Sequence, residues 1–347
     1  MTYANRVTRK LRKIKRQYLP SGRQQAVILM YHRVRCETID PWEMCVWEEN
    51  FRRQMEVLHA GFVVHPLSRI QEILQAGPSR KRHVFITFDD GYQDNFTVAV
   101  PVLRQMGFNA TFFIPSVSME EGPEFWWEAV DRLFWRQPIL PGTIELGSGQ
   151  YVFCQRLSEK TRMLRGDLEG GWSANTTLPP SARCELYLNL CSWIKEMEPR
   201  DQHVIAGQLL SLCDPEARDP EFSRKMSTFQ LKDLLAGGFE FGSHTAHHPA
   251  LGHQRGEIQR REISDGNRSL RAFTGTPVTA FAYPHGDYDD RTPCILKEEG
   301  IRIACTVDPG VVTPDSDMLQ LPRLFVKNWE PRLFKYHLEE TFIRREP

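Results

Sequence analysis

Short, continuously apolar runs recur along this chain, and between them apolar positions fall at helical spacing. Residues 26–32 (AVILMYH) are apolar on both faces and predict a strand buried on both sides. Residues 51–60 read as a helix closed by Gly61, ahead of a strand over 62–67. A further helix, 67–75, leads to a turn at Gly77-Pro78, and 84–88 is the next buried strand. Residues 97–106 are helical, with Pro101 in the first turn and Gly107 as terminator, and 109–114 is again a strand. The rhythm resumes at Ser227, the N-cap of a helix through Leu235 that Gly237-Gly238 ends. Strands follow at 239–244, 278–283, 303–307 and 324–327. Such alternation implies an α/β fold with a parallel sheet covered by helices, and seven or eight strands over this length favour a barrel.

Two stretches depart from the rhythm. Residues 118–225 hold a hairpin around Gly147-Ser148-Gly149 and helical runs such as 182–197, and read as an insertion or lid on the barrel rim. Residues 6–16 carry seven Lys or Arg, with Val7, Leu11, Ile14 and Tyr18 at helical spacing. This basic amphipathic helix either lies on an anionic membrane surface or packs its stripe on the main domain. The expected organisation is a basic arm (1–25), a barrel in two pieces (26–117 and 226–347) and the insertion (118–225).

Composition is that of an ordinary globular protein, 41% hydrophobic and 25% charged. Lys+Arg and Asp+Glu both number 44, which excludes a chain devoted to nucleic acid. None of the eight cysteines forms a CxxC pair, so reduced thiols are expected. Residues 1–25 are too studded with Lys and Arg for a secretory signal, and no run reaches the roughly 20 apolar residues of a membrane span. The expected location is the cytoplasm, with peripheral contact to the inner membrane face through residues 6–18.

Two clusters carry chemistry, both at the C-terminal ends of predicted strands. In Thr87-Phe88-Asp89-Asp90-Gly91 a strand runs into adjacent acids. Adjacent carboxylates repel and call for a cation. In Ser243-His244-Thr245-Ala246-His247-His248-Pro249 the four-residue spacing of His244 and His248 puts both imidazoles on one face of a helical turn. Two histidines and one carboxylate make a catalytic metal set with open positions, leaving the second aspartate free as a base. The set fits zinc and also non-haem iron. A third strand end, Tyr283-Pro284-His285, could give a backbone N–H to an oxyanion. Phe125, Trp126, Trp127 and Trp135 read as core rather than as a sugar platform.

In this order, TFDDG (87–91), HTAHHP (244–249) and FAYPHG (281–286) resemble the successive motifs of the polysaccharide deacetylase family, the NodB-homology domain. The opening LMYHRV (29–34) is similar to members acting in exopolysaccharide synthesis. The resemblance implies a distorted (β/α)7 TIM-like barrel with a mainly helical insertion. It further implies Asp89 as catalytic base, and Asp90, His244 and His248 as ligands of one divalent metal, zinc with cobalt or nickel as alternatives. The implied substrate is an N-acetylated glycan, in an oligosaccharide, a polysaccharide or a lipid-linked precursor. Ala282 stands where many members carry the arginine that orients the base, which leaves the base without an assigned partner. Residues 321–326 lack the histidine of the family's late Leu-x-His motif, so His32 becomes the candidate acid, with His285 behind it. The alternatives are a deformylase or amidase on the same metal site, and a decayed, non-catalytic glycan-binding protein.

Overall fold

The computed structural model describes residues 24–77, 81–119, 124–164, 171–175, 178–214, 221 and 223–343. The basic segment 6–18 lies outside them. The fully apolar runs become the central strands: β1 (Ala26–Tyr31) and, after the short pair β2 (Arg33–Val34) and β3 (Cys45–Val46), β4 (Val63–His65) and β5 (His83–Asp89). Every residue of β1 and β5 is buried, as strands packed on both faces must be. β6 (Thr111–Ile114) follows, and then the hairpin of β7 (Thr143–Ser148) and β8 (Tyr151–Arg156). β9 (Glu240–Ser243), β10 (Ala280–Ala282), β11 (Ile303–Cys305) and β12 (Leu324–Phe325) complete the set.

The main sheet is parallel and runs β11-β10-β9-β6-β5-β1-β12, with β4 pairing β5 off this path. Its ends meet. Leu321, just before β12, donates its N–H to Ala304 and accepts one from Thr306, so the sheet curls into a seven-strand barrel. The α/β barrel expected from the sequence is the observed fold.

Helices cover the outside. α1 (Glu48–Gly61) buries Phe51, Met55 and Leu58, a stripe at helical spacing. It ends on extended Phe62 rather than on a left-handed glycine. α2 (Ile70–Gln75) follows, and α3 (Val100–Met106) has proline in its first turn and stops at Gly107, φ +67°. Between β6 and β9 lie α4 (Trp126–Trp135), α5 (Ala182–Lys195) and α6 (Pro199–Ser211). They build a hydrophobic core of their own, including Trp135, Tyr187, Leu190 and Leu209, against which Ile39 and Trp42 pack. α7 (Thr228–Ala236) is capped by Ser227, whose hydroxyl accepts from Gln230 N–H while the Gln230 side chain answers to Ser227 N–H. α8 (Gly256–Thr274), α9 (Thr292–Glu298) and α10 (Pro331–Ile343) complete the outer layer. Among the described residues, no helix is long and apolar enough to cross a membrane. All eight cysteines are free.

Candidate metal centre and active site

β5 delivers Asp89 at its last residue, and the chain then turns through Asp90 and Gly91, both with φ +72°. That turn separates the two neighbouring carboxylates. Asp89 is gripped from inside the barrel by Arg323, whose Nη1 and Nη2 donate to its two oxygens at 2.8 and 2.7 Å. Arg323 is held in turn: its Nε donates to the Thr306 carbonyl at 2.8 Å and its Nη1 to Thr87 Oγ1 at 3.2 Å. Both side chains are almost wholly buried. Burial alone would raise the Asp89 pKa, but Arg323 outweighs it and keeps the carboxyl below its usual range. Asp89 therefore has an arginine partner, which Ala282 cannot supply.

Asp90 turns the other way, towards the histidines. Its Oδ1 lies 3.2 Å from His248 Nε2 and 3.5 Å from His244 Nε2, and the two Nε2 atoms are 3.0 Å apart. Ligands about 2.1 Å from a tetrahedral ion lie about 3.4 Å from one another, so this triangle has the size of one face of a metal site. Burial would raise Asp90 too, yet His248 and His244 hold it well below the carboxylate range. His244 Nδ1 lies 2.7 Å from the Ala282 carbonyl, which can only accept, so Nδ1 carries the proton and Nε2 offers its lone pair.

The expected helical turn at 244–248 is not there. The segment is an irregular loop with Thr245 at φ +66° and His248 at φ +62°. Thr245 Oγ1 accepts from His248 N–H at 2.9 Å and folds the loop back so that the rings converge. Behind it stands Gly266 of α8, where a Cβ would come within 2.4 Å of the Thr245 backbone. His247 points away and pairs with Glu262 at 2.9 Å.

His32, following β1, places Nε2 3.9 Å from Asp89 Oδ2. Burial lowers its pKa despite the pull of Asp89 and Asp90. His285 packs its ring 4.5 Å from that of His248, with its backbone at φ +55°. Burial pushes it well below the usual imidazole value. The Tyr283 N–H is taken by the Cys305 carbonyl at 3.1 Å and its hydroxyl by Leu319 at 2.7 Å. Pro284 has no N–H, so of the three residues expected to serve an oxyanion only His285 keeps a candidate backbone donor.

A cavity of about 700 Å³ joins these groups to α4 and α5. The aromatics expected to be core have two roles. Trp126 and Trp135 belong to the core of the segment between β6 and β9, yet both also wall the cavity, as does Trp127. Trp127 sits 4.7 Å from the His248 ring and donates its Nε1–H to Tyr92 Oη at 3.1 Å.

Arg323 was the residue that sequence reasoning missed. Its signal was present: an arginine inside the apolar run Leu321-Pro322-Arg323-Leu324-Phe325-Val326 requires a buried anion as partner.

The family model for polysaccharide deacetylase matches residues 76–134 and 222–304. YxkH of Bacillus subtilis (strain 168), named as a polysaccharide deacetylase, is 27% identical over 97 residues, 28% of this chain and 35% of that protein. The chain thus spans about a third of the curated relative it matches. Among solved structures, the deacetylase PplD of Streptococcus pyogenes in complex with acetate aligns at a TM-score of 0.57 and 18% identity, over 94% of this chain and 100% of that one. A de-N-acetylase from Aggregatibacter actinomycetemcomitans aligns at 0.54 and 12%, over 91% and 100%. At such identities the likeness is one of fold, the deacetylase barrel. Three motifs in order and the family model over residues 76–134 and 222–304 agree, and the barrel is shared: along those segments the chain is similar to the polysaccharide deacetylase family.

Proposed function

We propose that this protein is a metal-dependent de-N-acetylase acting on a sugar of an oligosaccharide, polysaccharide or lipid-linked glycan. The observation that carries this reading is one buried cluster holding both a three-ligand metal set and a separate carboxylate locked by Arg323. Asp90, His244 and His248 would hold one divalent ion, zinc first, with cobalt or nickel as alternatives. Bound there, such an ion would supply polarisation of the acetyl carbonyl and offset the charge that grows on its oxygen.

The protein's own groups then move one proton. Asp89 takes it from the attacking water as the new C–O bond forms. Its depressed pKa makes the protonated form a ready donor, and His32, 3.9 Å away and neutral at rest, would receive the proton through a bridging water. His32 hands the proton to the sugar nitrogen as the C–N bond breaks, giving a free amine and acetic acid, which then loses its remaining proton to leave acetate. The His285 backbone N–H is the proposed oxyanion donor from the Tyr283-Pro284-His285 turn. The complete ligand set and the partnered base favour turnover over a decayed binding protein.

Residues 26–117 and 226–347 form the proposed barrel domain, with 118–225 as its lid. The basic residues 6–16 support a cytoplasmic protein touching an anionic membrane face. Sedimentation with anionic vesicles tests that placement.

The reaction class is tested by an acyl series, with N-formyl, N-acetyl and N-propionyl forms of one amino sugar offered to metal-loaded protein. Metal-dependent acetate release with the acetyl form preferred is expected. Preference for the formyl form, or for small non-sugar amides, would replace the deacetylase reading with that of a deformylase or amidase.

A further inference from the structure

The cavity does not end at the metal residues. Trp127, Asp131 and Trp135 recur every fourth residue on one face of α4, and all three wall the cavity. From Trp127, beside His248, to Trp135 is eight residues of helix, about 12 Å. That is longer than one hexopyranose ring.

Behind the wall of the far part of this space stands the buried Tyr187. Its hydroxyl accepts from Trp42 Nε1–H at 2.7 Å and donates to Asp131 Oδ1 at 2.7 Å, and its ring lies 5.0 Å from that of Trp135. The direction of this relay is fixed, because the indole can only donate and Oδ1 must then accept. Asp131 thus spends one oxygen on Tyr187 and keeps the other for a ligand.

Among the described residues, every Lys or Arg on the cavity wall already has a carboxylate: Arg33 with Asp94 at 2.9 Å, Arg136 with Glu37 at 2.5 Å and Lys195 with Asp287 at 3.4 Å. Asp40 adds a further carboxylate to the wall. A phosphate group would meet neutralised cations and two acids there, whereas hydroxyls or an ammonium suit such a wall.

We propose that this part of the cavity is a second sugar subsite, in which Asp131 hydrogen-bonds a hydroxyl or ammonium of the unit next to the reacting one, between Trp42 and Trp135. The substrate is then an unphosphorylated oligosaccharide segment of at least two units. This rests on the deacetylase reading and narrows its substrate. Burial pushes Asp131 up to about 7, so near neutrality it can donate to a hydroxyl when protonated or hold an ammonium when ionised.

The test compares acetate release by the zinc-loaded full-length protein from N-acetylglucosamine and from its β-1,4- and β-1,6-linked disaccharides. Wild type should show a kcat/KM about tenfold or more higher on one disaccharide, mainly through KM. Asp131→Asn and Asp131→Leu should erase most of that advantage. Equal kcat/KM on mono- and disaccharides in wild type, or an equal loss on all of them in both variants, would overturn the subsite. If no sugar releases acetate, the deacetylase reading fails for these sugars, and tryptophan fluorescence judges the subsite alone. Quenching by a disaccharide, weakened about tenfold in Asp131→Asn, upholds it. No quenching by either disaccharide, or tighter binding of uridine-diphosphate-linked N-acetylglucosamine, overturns it.

Discussion

Asp89 and Arg323 stand 234 positions apart in sequence, yet they form a two-pronged ion pair with almost no exposed surface. Removing one partner of such a pair strands the other charge in the interior, which costs about 3–5 kcal/mol. Arg323→Met should lose stability of that order in denaturant titrations. It should also lower acetate release about 100-fold, because an unanchored base no longer sits ready for its proton. Arg323→Lys should fall between, keeping charge but not the fork. Full activity in Arg323→Met would remove Arg323 from the site. Asp131 gives a prediction of opposite sign. Tyr187, Asp40, Glu128 and Arg136 act on it, and burial dominates, raising the folded pKa to about 7 against about 3.9 when unfolded. The stability that goes with its neutral form is present below about pH 4 and is lost as pH rises through about 7. Asp131→Asn should therefore gain in Tm over wild type across that window, and the gain should level off above it. A pH-independent difference would contradict the burial of Asp131. At this scale the two aspartates and the histidine pair were legible, because the chemistry sits in contiguous motifs. Arg323 was not, because its partner is remote in sequence and only the barrel brings them together.

The loop carrying His244 and His248 shows what residue spacing can and cannot say. Four-residue spacing brings two side chains together on a helix, but a loop with Thr245 and His248 in the left-handed region does the same. Each such residue costs about 1–2 kcal/mol, so the surrounding packing must impose the shape. Gly266 is part of that packing, since it lets α8 press against the loop backbone. Gly266→Ala should push the loop away, costing about 1–3 kcal/mol. It should also weaken metal affinity about tenfold, read by calorimetry. Unchanged metal affinity would mean that α8 does not set the ligand geometry. The regular elements were far more legible than this loop. β1 and β5 announced themselves by being apolar on both faces, and α7 by its Ser227 cap and terminal glycines. Strand ends were overestimated where apolar residues continue into loops, as at 303–307 against the observed Ile303–Cys305.

The whole molecule joins a barrel mouth to a wall made by α4 and α5. The barrel was legible because strand and helix alternate along the chain, and the segment between β6 and β9 stood out where that alternation failed. The cavity between them was hidden, because Trp42, Trp127, Asp131 and Lys195 meet only after the two parts pack. Metal binding should register on the molecule as a whole. An ion held by the folded state at about 100 times its Kd adds about 2.7 kcal/mol, a shift in Tm that His248→Ala should abolish. The most direct test joins binding to turnover: metal-stripped wild type, Asp89→Asn and His248→Ala are titrated with zinc by calorimetry, and acetate release is measured in the same samples. One ion per chain in wild type and Asp89→Asn, little in His248→Ala, and acetate from wild type alone is the expected result. Acetate release by Asp89→Asn, or by His248→Ala at the wild-type rate, would contradict the assignment of base and metal ligands.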